Sequence, residues 1–161
     1  MPQRYIDTTL FDLFKVGPGP SSSHTIGPMK AGHHFAETCA ALPRDLLVRA
    51  VRFRVRLYGS LSATGTGHGT DAAVVAGLLG TAPESCPAGL LQELMDDPHT
   101  RRKRSLGDGQ VSVCVDDVSH DAIIHDFPYS NTLVADLLDA EDKVLHSQEY
   151  YSVGGGFIQW K

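Results

Sequence analysis

The stretch Val51-Arg52-Phe53-Arg54-Val55-Arg56-Leu57 decides the fold class. Apolar residues alternate with arginines, the period-two pattern of a strand with one face in a core. The three arginines suit a face turned to water; a partner domain or an acidic ligand is the other reading. On either side the pattern changes. Upstream, Pro28 fits the first turn of a helix starting near Ile26 or Gly27, and Met29, Gly32, Ala36 and Cys39 then share a small or apolar face. Gly32 weakens such a helix by about 1 kcal/mol relative to Ala, unless it marks close packing. Downstream, Gly59 to Gly69 reads as a small-residue loop. Thr70-Asp71 then caps a helix through Ala72, Val75, Leu78 and Leu79, and Leu90–Met95 forms a shorter one.

The last third carries strand patterns at Gln110–Val115, Ala122–His125, Thr132–Leu138 and Lys143–Ser152, the last two joined by the turn Asp139-Ala140-Glu141-Asp142. Helices early and consecutive strands late predict an α+β domain, a mainly antiparallel sheet with helices packed on it, as one unit over residues 1–161. Thr9–Lys15 is apolar enough to dock on the core, whereas the run from Gly17 to Thr25 is expected to be irregular. Gly154-Gly155-Gly156 reads as a structural turn.

Charge and composition exclude several functions. The net charge is −5, and the one basic run, Arg101–Arg104, follows Asp96-Asp97-Pro98 and reads as a solvated loop, so no nucleic-acid partner is expected. No apolar stretch approaches the roughly 18 residues of a membrane span. Arg4, Asp7, Asp12 and Lys15 interrupt any signal-like apolar region, so a cytoplasmic protein without a membrane partner is expected. Cys39, Cys86 and Cys114 are too scattered for a disulfide framework or zinc motif, and each reads as a small buried apolar residue. His33 and His34 are adjacent and no His-x-x-x-His spacing occurs, which disfavours a metal-dependent hydrolase. No metal site is expected within this chain.

Two loops carry the chemistry. Ser21-Ser22-Ser23-His24-Thr25 and Gly65-Thr66-Gly67-His68-Gly69-Thr70-Asp71 each combine small residues, hydroxyls and one histidine just before a helix. Free N–H groups at a helix start favour anions, and glycine lets a ligand approach the backbone. Both loops therefore suit a small carboxylate or phosphate. An ordinary helix-capping role is the competing reading for the serines, and a bracing role for His68. Neither loop has the Gly-x-x-x-x-Gly-Lys-Ser/Thr form of a P-loop.

Five motifs in order resemble the β domain of bacterial iron–sulfur-dependent L-serine dehydratases. They are Phe11-Asp12-Leu13-Phe14-Lys15-Val16-Gly17, the run from Gly19-Pro20-Ser21 to Pro28-Met29, Tyr58-Gly59-Ser60-Leu61, Gly67-His68-Gly69-Thr70-Asp71, and Tyr150-Tyr151-Ser152-Val153-Gly154-Gly155-Gly156-Phe157. The resemblance implies conversion of L-serine to pyruvate and ammonia. It implies a [4Fe–4S] cluster held by cysteines of a second, helical α domain or subunit, absent from these 161 residues, whose Lewis-acidic iron would receive the hydroxyl. It also implies a likeness to the allosteric substrate-binding domain of D-3-phosphoglycerate dehydrogenases, and a homo-oligomer. His68 would be the general base. Ser21, Ser22, Ser23, His24, Thr25, Gly67, Thr70, Asp71 and Asn131 would contact substrate. Two positions depart from the family pattern: Thr66 stands where Lys is common, and Tyr129 begins a segment that usually opens with His. A stand-alone amino-acid- or carboxylate-binding regulatory module is the alternative function.

Overall fold

The computed structural model describes residues 17–161 apart from Pro20, so the expected docking of Thr9–Lys15 lies outside the described residues. The chain forms α1 (Gly27–Ala40), α2 (Arg44–Leu47), β1 (Arg52–Gly59), α3 (Ser60–Thr64), α4 (Thr70–Leu78), α5 (Leu90–Asp96), β2 (Arg102–Leu106), β3 (Gly109–Val113), β4 (Val118–His120), β5 (Asn131–Leu138), β6 (Val144–Ser152) and β7 (Ile158–Trp160). Helices and strands are largely segregated along the chain, with α1–α5 before β2–β7, as in an α+β domain.

The predicted strand is β1, and its burial alternates residue by residue. Phe53, Val55 and Leu57 are fully buried against the helical side, while Arg52, Arg54 and Arg56 occupy the other face. Those arginines neither point freely to water nor wait for a ligand. Arg54 and Arg56 both reach Asp136 of β5, which is 1% exposed and also accepts from Ser147; Arg52 pairs with Asp117 and Asp142. A carboxylate that deeply buried needs such partners to offset its desolvation.

The sheet is mixed. Its order is β2-β3-β1-β5-β6-β7, with β4 also on β1. The pairs β1–β5, β5–β6, β6–β7 and β2–β3 are antiparallel, as expected, but β3 and β4 run parallel to β1. β3 meets the start of β1 at Arg52 and β4 its end at Val55–Leu57, so two short strands share one edge. The turn Val115–Asp117 makes the step between them.

Four local expectations change. Arg102–Leu106 is a strand at the sheet's outer edge: it opens with three consecutive charges, Arg102, Lys103 and Arg104, which blunt further pairing, and its burial alternates. Ala122–His125 is not a strand; Ile123 and Ile124 lie in bends and are 61% and 93% exposed. The Gly59–Gly69 loop holds α3 and a 3-10 turn, Thr66–His68. The Ser-rich run is regular after all, since Ser22–Ile26 forms a π-helical turn feeding α1.

Gly32 does mark close packing. A Cβ there would run into the Val74 carbonyl, and one at Gly77 into the Met29 carbonyl, so α1 and α4 cross backbone to backbone. This contact fixes the two helix starts side by side. Gly154, Gly155 and Gly156 all have positive φ and form the expected turn, between β6 and β7.

Candidate active site

The starts of α1 and α4 carry the two histidine loops, and buried hydroxyls bolt them together. Thr25 Oγ1 donates to the His68 carbonyl at 2.9 Å, and Thr70 Oγ1 donates to the His24 carbonyl at 2.5 Å. Both threonines are fully buried. Thr70 does not cap α4 through its side chain; the N-cap is Gly69, whose φ of 67° suits glycine at this sharp junction. The rings of His24 and His68 lie 4.9 Å apart between centroids.

The two imidazoles are prepared differently. His68 Nδ1 is 2.8 Å from the Thr64 carbonyl. A carbonyl only accepts, so Nδ1 carries the proton and Nε2 keeps the lone pair. His24 is held by hydroxyls at both nitrogens, Ser23 Oγ at 2.9 Å and Ser60 Oγ at 3.0 Å. Burial lowers its pKa, and the neighbouring His68 lowers it further, against a smaller opposing effect from Ser60. His24 is thus kept neutral beside a histidine free to accept a proton.

The Ser-rich turn offers fewer free N–H groups than an open loop would. The Ser21 carbonyl accepts from Thr25 N and Ile26 N, Ser21 Oγ accepts from His24 N, and Ser22 O accepts from Gly27 N. Ser22 and Ser23, at the open end of the turn, are left as its N–H donors. Ser152 Oγ donates to Ser23 O at 2.7 Å, which anchors the turn to the last long strand.

A cavity of about 600 Å³ opens beside the histidines, lined by Gly17, Gly19, His68, Gly69, Pro83 and Met95 among others. That is within the usual size of small-molecule sites. His68 and Gly69 reach it directly. Ser21–Thr25 do not line it, although the Thr25 side chain packs against Gly19, which does. Gly67 is exposed, with open space where a Cβ would be. Asn131 lies outside the histidine cluster, opposite Gly59 in the β1–β5 ladder, and its Oδ1 is buried without a hydrogen bond.

Asp71, 7% exposed, faces His120: Nε2 is 3.0 Å from Oδ1 and 3.2 Å from Oδ2. His120 and Ser60 were not legible as site residues. His120 stands 49 residues beyond Asp71, and no local pattern links them.

Residues 9–161 match the serine dehydratase beta chain family. The chain belongs to that family. L-serine dehydratase 2 of Escherichia coli K12 is 41% identical to it over 156 residues, and the L-serine dehydratases of Streptomyces coelicolor and Haemophilus influenzae are 40% and 37% identical over 155 and 153 residues. Each alignment covers 93% of this chain and 33% of the relative, so the beta chain spans about a third of the length of the relatives it matches.

The described beta-chain residues do not fit an iron–sulfur cluster. Cys39 is fully buried in α1 and burial pushes its thiol up to about 12; Cys114 is buried against Asp117; Cys86 is only half-buried, contrary to expectation, and is the one cysteine among the residues lining the cavity. Among the described residues no three His, Cys, Asp or Glu side chains converge as a metal site. No helix among them is long and apolar enough to cross a membrane.

Proposed function

We propose that this chain is the substrate-side domain of an L-serine dehydratase, an ammonia-lyase that converts L-serine to pyruvate and ammonia. The observation that carries this reading is the tautomer of His68: Nδ1 is committed to Thr64, so a lone pair remains on Nε2 of a residue lining the cavity. Nε2 takes the Cα proton, the β-hydroxyl departs, and the resulting 2-aminoacrylate tautomerises and hydrolyses to pyruvate and ammonia. The Ser21–Ser23 turn, which follows the cavity-lining Gly17–Gly19 in the chain, supplies neutral donors for the carboxylate, Ser22 and Ser23 foremost. Thr25 and Thr70 serve by locking His24 and His68 in register. Gly67, Asp71 and Asn131 remain in the proposed substrate shell.

A [4Fe–4S] cluster belongs to this reading only as a group held by a further helical domain or subunit, and no step is routed through it. Anaerobic incubation of this chain with iron and sulfide should give no stoichiometric visible absorbance; a full complement of cluster would overturn that division of labour. The likeness to the allosteric domain of D-3-phosphoglycerate dehydrogenases, a cytoplasmic location and a homo-oligomer belong to the proposal too.

The deciding test is His68→Asn in the complete enzyme at equal cluster loading. Loss of a positioned base costs about 10²–10⁴-fold in turnover, with the Michaelis constant changed much less. Turnover within about three-fold of wild type would remove His68 from the chemistry.

A further inference from the structure

Apart from Asp71, which the proposed substrate shell includes, His120 makes contacts that the base and carboxylate roles above do not use. Its Nδ1 is 2.9 Å from the Ser62 carbonyl of α3, so Nδ1 carries a proton. Its Nε2 lies 3.0 and 3.2 Å from the two oxygens of Asp71 in the first turn of α4, and 3.3 Å from Thr66 Oγ1. Nδ1 thus faces a carbonyl and Nε2 a carboxylate, an arrangement that the imidazolium satisfies with a donated hydrogen bond at each nitrogen. Asp71 needs that charge, because it is buried and its Oδ1 has no aligned hydrogen bond.

The three anchor points bracket His68. Ser62 lies two residues before Thr64, whose carbonyl holds His68 Nδ1; Thr66 opens the 3-10 turn that ends in His68; Asp71 follows Gly69 and Thr70. A single ring from β4 thus spans the whole turn. We propose that His120 is a positioning residue for His68: as an imidazolium it ties α3, the Thr66–His68 turn and α4 together, and the turn keeps its working geometry only while that charge is present. The inference rests on the reading of His68 as the base.

The groups facing His120 favour the charged form. Burial works against it, but the Ser62 carbonyl, the Asp71 carboxylate and the Asp121 carboxylate beside it carry the pKa above 6.5. From β1 the residue opposite is the uncharged Leu57, and the turn contributes the Thr66 hydroxyl. With a raised folded pKa, the brace is complete below 6.5 and is lost as pH rises through the folded value.

Two measurements test this. In the complete enzyme, serine turnover should fall on the alkaline side as His120 loses its proton. His120→Gln keeps a donor but cannot charge, so it should abolish that alkaline limb and lower kcat roughly 10–100-fold, with KM within about three-fold, the size of a lost charged hydrogen bond. An unchanged alkaline limb at wild-type kcat would overturn the proposal. In this chain alone, nitrogen NMR of the histidine rings should show His120 titrating above 6.5 and His68 signals moving in the same step. Asp71→Asn should lower the His120 midpoint. A neutral His120 at pH 6.5, or His68 signals blind to its titration, would also overturn it. The NMR arm stands even if His120→Gln fails to fold or the complete enzyme proves not to consume serine; in the latter case the functional reading fails while the brace is judged on its own.

Discussion

β1 and the Ser60–Thr70 segment that follows it are consecutive in the chain and are held by different forces. β1 is held by pattern: Phe53, Val55 and Leu57 are fully buried, and both strand edges are paired. Ser60–Thr70 buries few side chains and is held by individual polar contacts. Ser62 Oγ donates to Asp121 O, Thr64 Oγ1 to Ser60 O, His68 Nδ1 to Thr64 O and Thr70 Oγ1 to His24 O. The difference separates stability from chemistry. A change in β1 is felt by the whole fold, whereas a change in the segment moves one histidine.

The largest effect on stability should come from β1. Leu57→Ala removes a fully buried side chain between β4 and β5 and should cost about 2–5 kcal/mol, read as a fall in the denaturant midpoint at constant m. The loop geometry should survive in whatever fraction stays folded, so kcat per folded molecule should hold. A loss below about 1 kcal/mol would mean that this edge of the sheet relaxes freely and that β1 is not the rigid reference it is taken to be.

A smaller effect on stability, and a larger one on function, should follow Thr70→Val. The shape is kept, but the His24 carbonyl loses its donor inside a buried site. An unmet buried acceptor costs about 1–3 kcal/mol. Because the same bond sets His24 against His68, turnover of the complete enzyme should also fall at temperatures where the variant is fully folded. Lowered stability with wild-type turnover would show the two loops to be bolted for stability alone.

The unequal legibility of the two regions has the same origin. In β1 every residue reports its face, so seven positions suffice to define a strand. Gly32 could be read as a packing glycine because nothing else explains it within a helix. The pairing of β3 and β4 along one edge of β1 could not be read, since parallel neighbours are chosen by distant segments. Arg102–Leu106 was masked by its charge, and Ile123-Ile124 imitated a strand by composition alone. In the site, His68 stood out between two glycines. His120 did not, because its meaning comes from Asp71 and Ser62, which the fold brings to it.

The smallest effect is a difference in slope, and it isolates His24. Burial and the neighbouring His68 place its folded pKa below the ordinary histidine value of 6.5. The unfolded chain therefore takes up this proton first as pH falls. The stabilising contribution of a neutral His24 is fully present above 6.5 and is lost as pH falls from there through the folded value. His34 acts with the same sign, while His120 and His99 act with the opposite one, so the pH profile of the wild-type chain is a mixture. Comparison with His24→Gln removes the mixture. The variant should be less stable than wild type at pH 8, where its bonds to Ser23 and Ser60 are weakened, and the deficit should shrink as pH falls below 6.5, because only the wild-type chain carries the cost of keeping this imidazole neutral. Thermal melts at matched ionic strength would read it. A deficit that stays constant on acidification would mean that His24 accepts its proton in the folded state as readily as in the unfolded one, one that widens that it does so more readily, and either would mean that its burial does not hold this imidazole neutral.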